Sequence, residues 1–158
     1  MFYHPLFQDI EQEHGRWIDL MEDILTAHDP LERRDRVARL KLRLVPHRKA
    51  EERHLYPGLK NYPRLRELVL LAVEEHHIVL SVLRELERMS GEEENWAAKA
   101  AALQDNLERH AECEENLLLV GANDALPAEA VDNIRAAFVA EQDRLRDRLQ
   151  EGGGPRSG

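Results

Sequence analysis

Residues 40–55 read LKLRLVPHRKAEERHL, and residues 103–118 read LQDNLERHAECEENLL. With an offset of 63, identical residues align at Leu40 and Leu103, Leu44 and Leu107, His47 and His110, Glu51 and Glu114, Glu52 and Glu115, and Leu55 and Leu118. Most of these identities follow each other at steps of three or four residues, which is the spacing of one helix face. The repeat therefore predicts two equivalent helices whose inward faces carry a histidine and a glutamate among leucines.

Two further predicted helices each carry one histidine on an apolar face. His14 is followed at helical spacing by Trp17, and His76 is followed by Val79, with an offset of 62 between the two histidines. Each half of the chain thus contains a histidine, a long gap and a His-x-x-x-Glu motif, which predicts a duplicated helical hairpin. Two facing hairpins would bring together six side chains, namely His14, His47, Glu51, His76, His110 and Glu114.

The rest of the sequence indicates an all-α fold. Strand-like alternation is absent, aromatic residues make up 5%, and proline and glycine divide the chain into helices near residues 5–26, 30–59, 63–90, 95–120 and 127–150. We predict an antiparallel up-down-up-down four-helix bundle over residues 1–122. We also expect an additional C-terminal helix packed on the bundle over residues 123–150 and a disordered tail over 151–158. Pro46 should kink the second helix.

The predicted C-terminal helix is amphipathic. Ile134, Phe138 and Leu145 share a stripe among many charged residues. Such a helix packs on the outside of the bundle or mediates self-association as a homodimer.

Composition excludes several classes of partner. The chain has 22 Lys+Arg against 31 Asp+Glu and a net charge of −9, which argues against a nucleic-acid module and against an anionic membrane surface. One cysteine excludes a disulfide framework or a thiolate cluster within one chain. The N-terminus lacks the pattern of a signal peptide, and the longest apolar run is far shorter than the roughly 20 residues of a spanning helix. We therefore expect a cytoplasmic protein.

The two glutamates on the predicted inward faces, Glu51 and Glu114, indicate a metal centre. A buried carboxylate without a partner is unfavourable, so two of them among imidazoles need a shared cation. Imidazole and carboxylate ligands suit iron, manganese or zinc, and a dinuclear site with metals about 3.5–4 Å apart can be spanned by bridging carboxylates. A set of core histidines hydrogen-bonded to glutamates, without an ion, is the alternative.

These residues resemble the hemerythrin-like, or HHE cation-binding, family over roughly residues 5–120. The resemblance rests on His14, His47-Arg48-Lys49-Ala50-Glu51-Glu52, Leu55-Tyr56-Pro57, Glu74-Glu75-His76 and His110-Ala111-Glu112-Cys113-Glu114-Glu115. It implies an antiparallel four-helix bundle with two non-haem iron ions joined by an oxo or hydroxo bridge. It also implies that the six side chains brought together by the two hairpins are the ligands, with Glu51 and Glu114 bridging the irons.

The sequence departs from the oxygen-carrying members of that family. Those proteins use five histidines and end in His-x-x-x-x-Asp, whereas the fourth helix here has His-x-x-x-Glu, and a second third-helix histidine would fall on Ala72. His54 and His77 are candidates for the fifth histidine. The resemblance implies binding or sensing of O2, NO, peroxide or iron. The alternative is a di-iron enzyme for peroxide decomposition, NO reduction or ferroxidase-type oxidation, and a third class is a metal-free scaffold.

A ferritin-like di-iron bundle is the structural rival. It needs Glu-x-x-His on two helices and a lone glutamate on the other two. The chain contains three such pairs, Glu11 with His14, Glu51 with His54 and Glu74 with His77, but position 107 on the fourth helix is leucine. If this rival were right, His54 and His77 would be ligands.

Other residues have structural interpretations. We expect His4 at the surface. We expect Tyr56 as a core aromatic, with a hydrogen-bond donor beside the ligands as the alternative. We expect Glu52 and Glu115 on solvated faces, with a role in orienting the ligating histidines as the alternative. Cys113 reads as a small packed side chain.

Overall fold

The structure, a computed structural model, describes residues 2–152. Within these residues the chain forms the helices α1 (Pro5–Thr26), α2 (Pro30–Ala50), α3 (Tyr56–Leu59), α4 (Pro63–Arg88), α5 (Trp96–Cys113), α6 (Val120–Ala125) and α7 (Ala128–Gly152). π-Helical turns at Glu51–Leu55 and Glu114–Leu119 join α2 to α3 and α5 to α6. The predicted all-α bundle with an additional C-terminal helix is confirmed.

The helices begin at the residues that the sequence marks. The Asp29 side chain accepts from the backbone N–H groups of Leu31 and Glu32, and a proline follows it at the first helical position. At the start of α1, the side chain of His4 accepts from Leu6 N in the same way. Asn95, the N-cap residue of α5, makes no capping hydrogen bond with its side chain.

The sequence repeat lies in two continuous helical segments, which we call rods: α2 with its π turn and α3, and α5 with its π turn and α6. Each rod differs from the predicted helix in its second half. Helical backbone continues through Pro46, and the departure from α geometry begins five residues later at Glu51. The second rod continues past Gly121 to Ala125, beyond the predicted end near residue 120. Both π turns begin at the repeated glutamate, so the local widening of the helix occurs at the candidate ligands, as π turns often do.

Two apolar clusters lie on either side of a polar layer. One contains Phe7, Ile10, Leu55 and Phe138, and the other contains Trp17 and the leucines of the opposite ends of the helices. Residues of the candidate site fall between these clusters along each helix. Packed hydrocarbon therefore lies above and below the polar layer.

Helix α7 packs along α2 and also contacts α1. Its stripe is buried through Val131, Phe138 and Leu145, while Ile134 is half-buried. Ion pairs of Arg135 with Asp9 and of Glu141 with Arg53 fasten it to the bundle. A hydrogen bond between Asp132 and His4 adds to them. The helix ends at Gly152, two residues past the predicted boundary, and the rest of the predicted tail lies outside the described residues.

Among the residues that the structure describes, no helix has the length and apolar character needed to cross a membrane.

Gly91 offers a test of the connection between α4 and α5. It has φ +97°, and a Cβ there would lie 3.0 Å from the backbone of Pro30. We expect Gly91→Ala to lower the free energy of unfolding by about 1–3 kcal/mol because of this conformation and contact. Gly15→Ala is the control: Gly15 lies inside α1 with nothing within 4 Å, so the same change should stabilise the protein by roughly 0.5–1 kcal/mol. Urea denaturation of both variants measures the two effects, and equal midpoints would contradict this account.

Candidate metal centre

The six residues predicted from the repeat converge in the middle of the bundle. α1 supplies His14, α2 supplies His47, α4 supplies His76, α5 supplies His110, and the two π turns supply Glu51 and Glu114. All six are buried, with at most 3% of each residue exposed. The structure thus places in the core four imidazoles and two carboxylates that the sequence alone could only align.

The six side chains form two groups that share one residue. Ligand atoms of Glu51, His76, His110 and Glu114 all lie within 4.8 Å of one another, and so do those of His14, His47 and Glu51. We call the first the four-residue group and the second the three-residue group.

Glu51 joins the two groups through its two oxygens. Its Oε1 lies 2.8 Å from His47 Nε2, and its Oε2 lies 3.2 Å from His76 Nε2. Glu114 contacts His110 Nε2 at 3.0 Å and belongs only to the four-residue group. Glu51 therefore faces both groups, whereas Glu114 faces only the four-residue group.

Several inward-facing atoms fit a cation better than they fit each other. Among the described residues, the buried atoms His14 Nε2 and Glu114 Oε1 have no hydrogen-bond partner. His76 Nε2 and His110 Nε2 lie 3.2 Å apart, so both inner ring nitrogens face the same point. Buried polar atoms are rarely left unpaired, and a metal ion would satisfy all of these. The site therefore passes a test of fit for cations bound by nitrogen and oxygen.

The outer nitrogens of two histidines are held by carboxylates. His14 Nδ1 donates to Glu115 Oε1 at 2.9 Å, and His76 Nδ1 donates to Glu52 Oε1 at 3.1 Å. Each bond joins one half of the chain to the other. Such bonds fix the tautomer, so that Nε2 is free to bind a metal. The expectation that Glu52 and Glu115 lie on solvated faces is wrong, although their identical place in the repeat was a signal of this role.

The remaining two histidines have different outer neighbours. Glu75 Oε1 lies 3.7 Å from His110 Nδ1, beyond hydrogen-bond distance, and the amide nitrogen of Gln142 lies 3.3 Å from His47 Nδ1. The sequence predicted no role beside a histidine for either residue. Glu75 precedes His76 directly, which could have marked it, but nothing local in the sequence indicates that α7 places Gln142 here.

Tyr56 is a core aromatic with a polar role. Its hydroxyl donates to Glu114 Oε2 at 2.7 Å and lies 3.3 Å from Glu51 Oε2, while its ring stacks on His76. Burial, followed by the charges of Glu114 and Glu51, raises the pKa of Tyr56 well above its ordinary value. The phenol therefore keeps its proton and orients both carboxylates.

Other histidines lie outside both groups. His54 is half-buried, and the side chain of His77 is 60% exposed beside Glu74, so within residues 2–152 neither supplies a fifth histidine. The expectation that His4 lies at the surface is wrong, because its ring is buried between the α1 backbone and Asp132. Cys113 is half-buried, and burial raises the pKa of its thiol.

Without a cation, protons hold the site together. Burial lowers the pKa of His110, but the carboxylates of Glu114 and Glu75 outweigh it and raise the pKa to about 10. Burial likewise raises the pKa of Glu51, but His47 and His76 more than offset this and hold it well below its ordinary value. A cation binding here would replace protons on imidazoles, so its binding releases protons.

The sequence model of the Hemerythrin HHE cation binding domain matches residues 6–120. This chain belongs to that family. The match covers all six residues of the two groups, and the fold agrees with it. No curated protein and no solved structure matches the chain.

Membership of the HHE family makes the chain a cation-binding protein whose candidate ligands are the two histidine and glutamate groups. The ferritin-like rival would need His54 and His77 as ligands, and neither lies in the HHE site. Helix α7 begins eight residues after the family match ends.

The pKa of His110 predicts how the stability of the metal-free HHE protein varies with pH. A folded-state pKa raised from 6.5 to about 10 gives stabilisation that is complete below 6.5 and is lost as pH rises through 10. We therefore expect the urea midpoint of metal-free protein to decrease as the pH is raised from 6 to 9. The urea midpoint of metal-loaded protein should decrease less over this range, because protons compete with the cation less at high pH. A metal-free midpoint that rises with pH would contradict the sign.

Proposed function

We propose that this HHE protein binds two iron ions in its bundle and uses them to bind or sense O2, NO, peroxide or iron. The observation that carries this proposal is that Glu51 faces both residue groups, with one oxygen toward each. One cation between the groups would leave donors of one group unused, whereas two cations bridged by Glu51 would use all six side chains.

The donor set supports iron. Four imidazoles and two carboxylates offer nitrogen and oxygen ligands without thiolate, a mixture that iron, manganese and zinc accept. Two irons in such a set supply redox chemistry and open positions for a small molecule.

The two residue groups are unequal, which supports small-molecule binding. The four-residue group offers its cation one donor more than the three-residue group of His14, His47 and Glu51. The cation in the three-residue group would keep more positions open. Two surface clefts lie at the outer edges of its histidines, one of about 240 Å³ where Gln142 meets His47 and one of about 410 Å³ where Glu115 meets His14.

The protein's own residues shape this open position. The Trp17 ring lies 4.7 Å from the His14 ring and 4.8 Å from the His47 ring by centroid, and it is 1% exposed. The ring therefore places an apolar surface beside both histidines. On the opposite side of the layer, Tyr56 orients Glu51 and Glu114 and holds its proton.

Anaerobic loading with Fe²⁺ followed by one equivalent of O2 or NO tests this function. We expect a change in the absorption spectrum that reaches completion at stoichiometric gas, because an open iron position takes up one small molecule. The Glu51→Gln variant treated in the same way is the control and should show no such change. Sustained consumption of added peroxide over many equivalents would instead show an enzyme, and no spectral change with either gas or peroxide would contradict the proposal.

A further inference from the structure

His47 obtains its outer neighbour from outside the matched domain. The outer neighbours of the other three histidines, Glu115, Glu52 and Glu75, all lie within residues 6–120. Gln142 instead belongs to α7 and is a neutral amide. The internal symmetry of the site is therefore broken at this one position.

The repeat identifies the residue that Gln142 replaces. The offset of 62 that relates His14 to His76 also relates Glu13 to Glu75. Since Glu75 lies beside His110, symmetry would place Glu13 beside His47.

Glu13 pairs instead with two arginines. Its Oε2 lies 3.3 Å from Arg16 and 3.4 Å from Arg43, and the residue is 7% exposed. Its other oxygen is buried and has no hydrogen-bond partner among the described residues. Glu13 and Gln142 line the same cleft at the edge of His47, so the amide stands where a carboxylate could otherwise reach.

We propose that Gln142 is a positioning residue for His47 and that α7 thereby completes the metal centre. This inference rests on the proposed function, because His47 matters here as a ligand. The C-terminal helix thus has a specific role, since it orients one imidazole of the three-residue group from behind.

The Gln142 amide suits both the metal-free and the metal-bound form of His47. In the metal-free arrangement His47 Nε2 lies 2.8 Å from Glu51 Oε1, and the Gln142 amide nitrogen lies 3.3 Å from His47 Nδ1, where its N–H can donate to the ring. When Nε2 binds a cation, the proton lies on Nδ1 and needs an acceptor, and the amide oxygen supplies one after rotation of the side chain. A neutral amide polarises the imidazole less than a carboxylate does, so His47 is a weaker donor than His14 and His76, whose Nδ1 atoms bond to carboxylates.

Packing holds Gln142 in place. Phe138, one helical turn earlier on α7, is 2% exposed, and its ring meets the His47 ring edge-on at 5.5 Å. The residue directly before Gln142, Glu141, pairs with Arg53 in the first π turn and with Arg144. These contacts fix both the register and the rotation of α7 against His47.

Release of iron to a chelator tests the proposal in the full chain. We load each protein with two equivalents of Fe²⁺, add an excess of a ferrous chelator and follow the loss of each ion. Gln142→Leu should release one ion per chain about 10-fold faster and the other at the wild-type rate, in line with the effect of removing an outer hydrogen bond. Gln142→Glu keeps an acceptor and should release both ions no faster than wild type.

Two control variants separate this role from general loosening. Gln150→Leu makes the same change at an exposed position of α7, and Glu13→Gln neutralises the symmetry-related carboxylate; both should release iron at the wild-type rates. The proposal is overturned if Gln142→Leu releases iron at the wild-type rate, if it speeds the loss of both ions equally, or if Glu13→Gln gives the selective loss instead. A wild-type chain that takes up no iron would refute the proposed function along with it.

Discussion

Glu51→Gln should leave the protein folded but unable to retain either iron. Glu51 is the residue common to both groups, and it is fully buried between His47 and His76. The amide keeps the volume but removes the negative charge that offsets two cations. We expect affinity for both ions to fall on the order of 100-fold or more, above the effect typical of outer partners. Elemental analysis after gel filtration, with circular dichroism to establish folding, measures this result.

Glu114→Gln is the matched control. It makes the same chemical change in the second copy of the motif, at a residue that belongs only to the four-residue group. We expect this variant to lose chiefly one ion and to keep part of the second. Equal retention by both variants would show that the two carboxylates are interchangeable, contrary to the unequal geometry described above.

Trp96→Ala should show the opposite pattern, with a large loss of stability and no change in the number of bound ions. Trp96 is 1% exposed in the apolar cluster at the loop end of the bundle. Its ring lies 4.4 Å from the Arg33 guanidinium, which also donates to the carbonyls of Ala27 and Gly91. Truncation of a buried tryptophan costs about 3–5 kcal/mol, or about 6–20 °C in Tm for a chain of this size.

Trp96→Phe keeps an aromatic ring at the same position and should lose less stability than Trp96→Ala. Calorimetry of the metal-free proteins compares the two, and metal analysis at low temperature checks that both still bind two ions. A Trp96→Ala protein with wild-type Tm would show that this residue does not hold the α1–α2 and α4–α5 connections in place.

The candidate site was readable from the sequence because it is built twice. His47 and Glu51 recur as His110 and Glu114 on an apolar face, and few other reasons place ionisable groups at such positions. The helical fold followed from the same periodicity. The all-α bundle, its additional helix and the HHE family were therefore predicted correctly.

Features that depend on side-chain direction or on docking were not readable. Both π turns begin at glutamates in regular helical sequence, so propensity gives no signal for them. Glu52 and Glu115 sit one residue off the apolar stripe, where a solvated face is the default interpretation, and the widened turn brings them to histidines. Gln142 reaches His47 only because α7 docks in one register, which is a matter of tertiary packing.

The stoichiometry of retained metal in wild-type protein tests the central claim most directly. We would reconstitute the full chain anaerobically with excess Fe²⁺, remove unbound metal by gel filtration, and measure iron and protein in the same fractions. The account predicts two irons per chain, one for each residue group joined at Glu51. Retention of one iron or none would contradict it.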